Sequence, residues 1–344
     1  MQTYLAQDDV FSYCGRFFND QGIFWSAAAA SRIRFRFKGT DLNIKSHFIP
    51  FPSRENYQYL RVILDGIDYG RFLLSADQKE IYLHHLTKTW HEVEIIKEQE
   101  AKAGLWGFVS VEAEAVLKSQ LRASYRFWFV GDSLSNGWGS MVNEPYDGNW
   151  LEASSASVAF PALCASSFSA DFQLDAISGF GVYRNWNTDS PLLLDCLDHV
   201  FLNFPQEIKQ EQNEIFDAVI VALGTNDLSS GDHENPRLPF DEAMFKNYYL
   251  RIIDKLSLRQ PQAHIILMNS PVYGDDRYGL LIRLLEEIKA ALPLAFRKRT
   301  HLLSLPHLPL LGYWQHPGLG EQQIIAHCLT ELLLDLGFKK ACKG

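Results

Sequence analysis

Cysteine, basic charge and long apolar runs are all scarce in this chain, and each shortage closes off a class of protein. The five cysteines (Cys14, Cys164, Cys196, Cys328 and Cys342) are scattered, odd in number and without a CxxC pair. Neither a disulfide framework nor a zinc site is expected from them. Basic side chains number 32 against 41 acidic, for a net charge of -9. A nucleic-acid partner needs a basic face, so that class is set aside in favour of a neutral or weakly polar substrate. No run approaches the roughly 18 apolar residues of a membrane-spanning helix, so no membrane partner is expected. The N-terminal MQTYLAQDDVF has neither the basic start nor the apolar core of a signal peptide. The expected location is cytoplasmic as the sequence stands, or secreted or periplasmic where a leader has been removed.

What is present is ordinary globular composition, 47% hydrophobic and 21% charged, over 344 residues. That length favours two domains. Up to about residue 118 the chain runs in short alternating stretches closed by turn residues. Arg32 to Phe37 alternates basic and apolar side chains before Lys-Gly-Thr-Asp; Tyr59 to Leu64 ends in Asp-Gly; Glu80 to Leu83 and His91 to Ile96 follow the same device. Such strands without helix-period segments predict a jelly-roll β-sandwich over residues 1–118. Trp25, Trp90 and Trp106 are read mainly as core residues, and Arg32, Arg34 and Arg36 as a solvated strand face.

From residue 124 to 344 the period changes. Strand-like runs at Tyr125 to Val130, Phe172 to Ile177, Ala218 to Leu223 and His264 to Met268 alternate with helical ones. The helical runs are Phe160 to Phe168, Pro191 to Leu202, Phe240 to Leu256, Leu280 to Leu292 and Gly320 to Leu336. Alternation of this kind predicts an α/β fold, a three-layer α/β/α domain around a flavodoxin-like parallel sheet.

Three of these strands end in small or polar turns: Gly131-Asp132-Ser133, Ser178-Gly179-Phe180-Gly181 and Gly224-Thr225-Asn226-Asp227. In a parallel sheet all three lie on one edge, where ligands bind. A serine on such a turn is a candidate nucleophile. Attack on an ester carbonyl builds charge on its oxygen, which needs donors already in place. The N-H groups of Ser133 and Gly179 and the side-chain amide of Asn226 are the candidates. For a base, His316 stands out among eleven histidines because it occupies the Gln-His-Pro-Gly loop directly before the last helix. His307 is its main competitor. An unperturbed imidazole titrates near 6.5 and can carry the serine proton at neutral pH.

The blocks GDSLSNGWG, ISGFG, GTND and QHPG, in this order, resemble the SGNH (GDSL) hydrolase superfamily over about residues 124 to 338. The resemblance implies Ser133 as nucleophile, Gly179 and Asn226 as oxyanion donors, and His316 as base. With GRFFND, Lys-Gly-Thr-Asp, Leu-Asp-Gly and Thr-Trp-His-Glu-Val ahead of it, the chain is similar to the family 2 carbohydrate esterases, typified by acetyl xylan esterases. Those enzymes remove O-acetyl groups from sugars and xylan-type polysaccharides, so the implied partner is an acetylated carbohydrate, with no metal and no cofactor. One position departs from the superfamily pattern, which places Asp three residues before the histidine. Here that residue is Tyr313, which carries no negative charge at neutral pH. The resemblance to dyad-type members of the family implies that a main-chain carbonyl, that of Trp314, orients His316 instead.

Trp138, Trp186, Tyr273 and Trp314 sit at the expected active edge, where an aromatic ring can lie on a sugar face. Two other readings stay open at this point. One is a GDSL lipase or thioesterase acting on longer acyl chains; the other is a carbohydrate-binding protein without activity.

Overall fold

The computed structural model describes residues 1–52, 54–206, 208–209, 214–234 and 237–341. The chain divides into two compact units. Met1–Arg122 and His199–Lys209 form the first; Ala123–Asp198 and Gln210–Gly344 form the second.

In the first unit the described strands make two six-stranded antiparallel sheets. One runs Phe18–Asp20, Ile23–Ser26, Leu105–Ala113, Leu42–Ile49, Glu80–Leu83, with Gln2–Leu5 also paired to Leu105–Ala113. The other runs Ala115–Leu117, Arg32–Gly39, Thr89–Lys97, Tyr57–Leu64, Ile67–Ser75, with Ser12–Cys14 paired to Arg32–Gly39. Alternation explains the burial: Ile33, Phe35 and Phe37 are fully enclosed and share one core with Trp106, Phe108, Val62 and Ile95 from both sheets.

The arginines between them are not the free solvated row their spacing predicts. Arg34 Nε lies 2.7 Å and Arg32 Nη1 3.4 Å from Glu94, while Arg36 pairs with Glu92 at 4.0 Å. Antiparallel register sets Glu94 opposite Arg34 and Glu92 opposite Arg36, so the row becomes a cross-strand ion-pair ladder. Trp106 is buried and donates to Ser46 Oγ at 3.1 Å, as a core tryptophan must.

A second difference concerns the stretch from Pro191 to Leu202, where a helix is expected. Only Leu193–Cys196 is helical, and the chain then joins the first unit. Phe201 meets Phe18 edge-on and Phe204 meets Phe51 likewise, while Arg16 donates to the His199 carbonyl at 2.9 Å. Burying two phenylalanines against other rings outweighs extending a short helix.

The second unit is a parallel sheet of five described strands, here β1 (Tyr125–Gly131), β2 (Ala170–Ala176), β3 (Ala218–Ala222), β4 (His264–Met268) and β5 (Thr300–Leu303). Their spatial order is β2-β1-β3-β4-β5. Its helices, numbered along the chain, are α1 (Ser133–Asn136), α2 (Trp150–Ala153), α3 (Phe160–Ser167), α4 (Leu193–Cys196), α5 (Thr225–Leu228), α6 (Glu242–Arg259), α7 (Asp276–Ala291), α8 (Leu294–Arg297) and α9 (Leu319–Asp335). Residues 127–130 of β1, 219–221 of β3 and 265–267 of β4 are almost wholly buried, which explains why these strands read as unbroken apolar runs. α3 packs on α9 and α6 on α7, giving the α/β/α layering. In this strand order the connections diverge between β1 and β3, so the loops after them open a crevice at the sheet's carboxyl edge. Ser133 follows β1 and Asn226 follows β3.

Among the described residues no helix is long and apolar enough to cross a membrane. Cys164 and Cys196 are buried and Cys14 and Cys328 partly so, and none of the four is in a disulfide; Cys342 lies outside the described residues. Burial pushes the Cys164 thiol up to about 12, so it behaves as a small hydrophobe.

Candidate active site

The turn that carries Ser133 is built from its neighbours. At Gly131 an added Cβ would stand 2.1 Å from Ser135 Oγ, so only glycine lets the strand turn there. The Asp132 carboxylate caps α1 by accepting the Leu134 N-H at 3.0 Å. Ser133 is thereby held at the first position of α1, 7% exposed. Gly139, with φ +68°, leaves room for the Tyr313 backbone; a Cβ would meet its carbonyl at 2.5 Å. The Tyr313 N-H donates to the Gly139 carbonyl at 3.1 Å, joining the loop after Ser133 to the loop of His316.

His316 stands between two oxygens. Its Nδ1 is 2.8 Å from the Trp314 carbonyl and its Nε2 is 2.9 Å from Ser133 Oγ. A carbonyl only accepts, so Nδ1 carries the proton. Nε2 is then the bare nitrogen that receives the serine O-H. Burial pulls the His316 pKa down to about 4, and hydrogen bonds to the Trp314 and Tyr313 carbonyls oppose that shift. The ring is therefore neutral at pH 7, the state a general base needs. The ring of Tyr313 packs edge-on against Tyr146. His307 lies elsewhere, with Nδ1 3.1 Å from the Pro271 carbonyl.

The other two turns converge on the same edge. Gly179 has φ +81°, and its carbonyl accepts the Trp186 N-H at 2.7 Å. Among the described residues the N-H groups of Ser133 and Gly179 have no hydrogen-bond partner. Asn226, 7% exposed, donates through Nδ2 to the Phe180 carbonyl at 2.8 Å and to Asp132 Oδ2 at 3.2 Å. The first, shorter contact fixes the amide more firmly than the second. The Asp227 carboxylate, fully buried, accepts the N-H groups of Val182, Tyr183 and Arg184 and so shapes the loop after Gly179. Desolvation raises its pKa against those three bonds.

The family described as GDSL-like lipase/acylhydrolase matches residues 129–327, and the one described as carbohydrate esterase 2 N-terminal matches residues 13–119. The chain belongs to the GDSL-like lipase/acylhydrolase family. A relative in Cellvibrio japonicus, an acetylxylan esterase / glucomannan deacetylase, is 27% identical over 85% of this GDSL chain and 80% of its own length. The solved structure of a family two carbohydrate esterase from the same organism superposes with TM-score 0.85 at 24% identity, covering 97% of both chains. One from Clostridium thermocellum in complex with cellohexaose gives 0.83 at 20% identity, covering 96% of this chain and 100% of the other.

The four aromatic candidates of this GDSL chain have different surroundings. Trp314 is 60% exposed. Trp138, half-buried, stacks on Trp150 at 4.5 Å with its ring centroid 6.1 Å from that of His316. Trp186 is half-buried. Tyr273 does not offer a sugar platform: it is 5% exposed, its hydroxyl donates to the Thr225 carbonyl and the Arg277 guanidinium covers its ring at 4.1 Å. It braces the turn of Asn226 instead.

Three further residues of this GDSL fold support the site without any local signature. The Glu321 carboxylate accepts the N-H groups of Leu310, Leu311 and Gly318 at 2.6, 2.8 and 2.9 Å, clasping both ends of the His316 loop. Gln322 donates to the Leu134 carbonyl at 3.1 Å, tying α9 to α1. Glu144 Oε1 accepts the Trp314 N-H at 2.7 Å. Glu321, the third residue of α9, reaches back to the N-cap N-H as in a capping box, but Gly318 has no side chain to return the bond, so the usual sequence pattern is absent.

Proposed function

We propose that this chain is a serine esterase that removes O-acetyl groups from carbohydrates through an acetyl-enzyme. The observation that carries the reading is His316, fixed in one tautomer between the Trp314 carbonyl and the Ser133 hydroxyl. Ser133 Oγ attacks the acetyl carbonyl as its proton passes to His316 Nε2. The oxyanion is met by the N-H groups of Ser133 and Gly179 and by the Asn226 amide. Collapse breaks the bond to the sugar oxygen, which leaves with the proton from Nε2. Water, deprotonated by the same nitrogen, then attacks the acetyl-serine; as that intermediate collapses Ser133 Oγ takes the proton back from Nε2, and the acetic acid released ionises to acetate.

With no aspartate beside Nδ1, a carbonyl dipole holds the tautomer and only partial charge offsets the transient imidazolium. A low histidine pKa is consistent with that arrangement. The carbohydrate part of the reading rests on the match of residues 13–119 and on the names of the relatives. The exposed Trp314 ring beside the dyad supplies a face for a sugar, with Trp138 and Trp186 as further candidates.

Hydrolysis of acetylated xylo- and manno-oligosaccharides, with positional analysis of the products, tests the substrate class. Turnover of acetate esters above octanoate esters is the expected result, and the reverse preference would sink the deacetylase reading. Fluorophosphonate labelling that disappears in Ser133→Ala tests the nucleophile. Folded protein that takes no label would be a binding module.

A further inference from the structure

Trp314 and Gln315 both sit at φ +54°, in the left-handed region where large side chains are uncommon. Two consecutive residues in that region persist only when their surroundings over-determine them. Here the distortion has a use: it turns the chain so that the Trp314 carbonyl faces the Nδ1 of the histidine two residues on. Something must hold Trp314 from its other side.

We infer that Glu144 is the positioning residue for the dyad, acting through the Trp314 backbone; this rests on the proposed role of His316. Glu144 is 170 residues away in sequence, and its Oε1 accepts the Trp314 N-H at 2.7 Å while Oε2 accepts the Tyr146 N-H at 3.1 Å. Its own N-H donates to the Leu311 carbonyl at 2.9 Å, and Asn143 bridges to Gly312. The carboxylate is thus mounted on the loop it restrains. The Trp314 N-H and C=O belong to different peptide planes, so the link is geometric: Glu144 fixes the Tyr313–Trp314 peptide plane, the anchor from which φ and ψ of Trp314 aim the carbonyl. The loop has other ties, from the Tyr313 N-H to the Gly139 carbonyl, from the Gly312 N-H to the His316 carbonyl at 2.8 Å and from Leu310, Leu311 and Gly318 to Glu321, and none of these touches Trp314.

Two variants of the full-length protein separate reach from charge. Glu144→Asp keeps the charge and withdraws the acceptor by one methylene; Glu144→Gln removes the charge and keeps an acceptor for the Trp314 N-H. Turnover of p-nitrophenyl acetate, fluorophosphonate labelling rate and the thermal unfolding midpoint are measured for both, beside Ser133→Ala and His316→Ala. Glu144→Asp is expected to lose about ten-fold in kcat with KM and the unfolding midpoint little changed, and to take label more slowly. That is less than the ~100-fold of a full misplacement, because the other ties remain. Glu144→Gln is expected to restore kcat to within about three-fold of the parent, losing only the Tyr146 contact. Parent-like kcat in Glu144→Asp, or equal losses in both variants, overturns the inference. Parent-like turnover in His316→Ala would instead remove the dyad reading on which it rests.

Discussion

Tyr313 meets Tyr146 edge-on, with ring centroids 5.5 Å apart and planes at 89°. The residue at the usual aspartate position is therefore engaged in packing, while the Nδ1 of His316 is held by the neighbouring carbonyl. Tyr313→Phe keeps the ring and this contact. It is expected to retain kcat/KM on an acetate ester within about three-fold. Abolished turnover with Ser133 still open to labelling would move the orienting role from the Trp314 carbonyl to the Tyr313 hydroxyl.

The acid limb of the pH profile follows from the His316 pKa of about 4, set by burial against two carbonyl hydrogen bonds. A base must be neutral to act, and kcat/KM reports the free enzyme. Activity should hold from neutral pH down to about pH 5 and halve near 4, well below the ordinary histidine value of about 6.5. Stability moves with the same sign. Between about 6.5 and 4 the unfolded chain binds a proton that the folded site refuses, so folding weakens as pH falls through that window and this contribution changes no further below it. Subtracting the profile of His316→Gln isolates it from the carboxylates. A limb centred near 6.5 would mean that the ring is solvated.

Much of this architecture is written in local pattern, and what is missing from that pattern has identifiable physical causes. His264–Met268 is readable because a strand buried on both faces needs an unbroken apolar run. β5 escapes because Thr300–Leu303 is short, with three of its four residues half-exposed and a histidine in the middle. Ser133, Gly179 and Asn226 stand on turns whose glycines and polar residues break the strand pattern, which is a compositional signal. The arginine ladder depends on which strand lies alongside, and register is not legible in one strand. Least legible is the support of His316. A carbonyl acceptor has no residue type, Trp314 holds φ +54° without being glycine, and Glu144 is remote in sequence.

Asn226 carries a sharper expectation because its amide already faces Asp132 and the Phe180 carbonyl. Removal of one oxyanion donor typically lowers kcat by about 10²–10³-fold. Asn226→Ala should fall in that range with KM little changed, alongside a modest drop in the unfolding midpoint from the lost amide bond to the Phe180 carbonyl. Turnover within ten-fold of the parent would leave the two backbone N-H groups as the whole oxyanion site.

Gln322 tests whether the last helix supports the catalytic turn through a single buried amide. It is fully enclosed; its Oε1 accepts the Phe160 N-H at 2.8 Å and its Nε2 donates to the Leu134 carbonyl at 3.1 Å. Phe160 opens α3, and the residue before it, Ala159, has no side chain able to cap that N-H. Leucine in place of Gln322 has similar bulk but leaves the Phe160 N-H buried without its acceptor, at about 1–3 kcal/mol, while the Leu134 carbonyl keeps the Gly137 N-H at 3.4 Å. At roughly 2–4 °C per kcal/mol for a domain of this size, Gln322→Leu should unfold about 2–12 °C lower by calorimetry. Because the Leu134 carbonyl on α1 loses its tie to α9, kcat should fall at temperatures where the variant is fully folded. A lowered midpoint with parental kcat would confine the amide to stability and leave Asp132 and Gly131 to hold Ser133 alone.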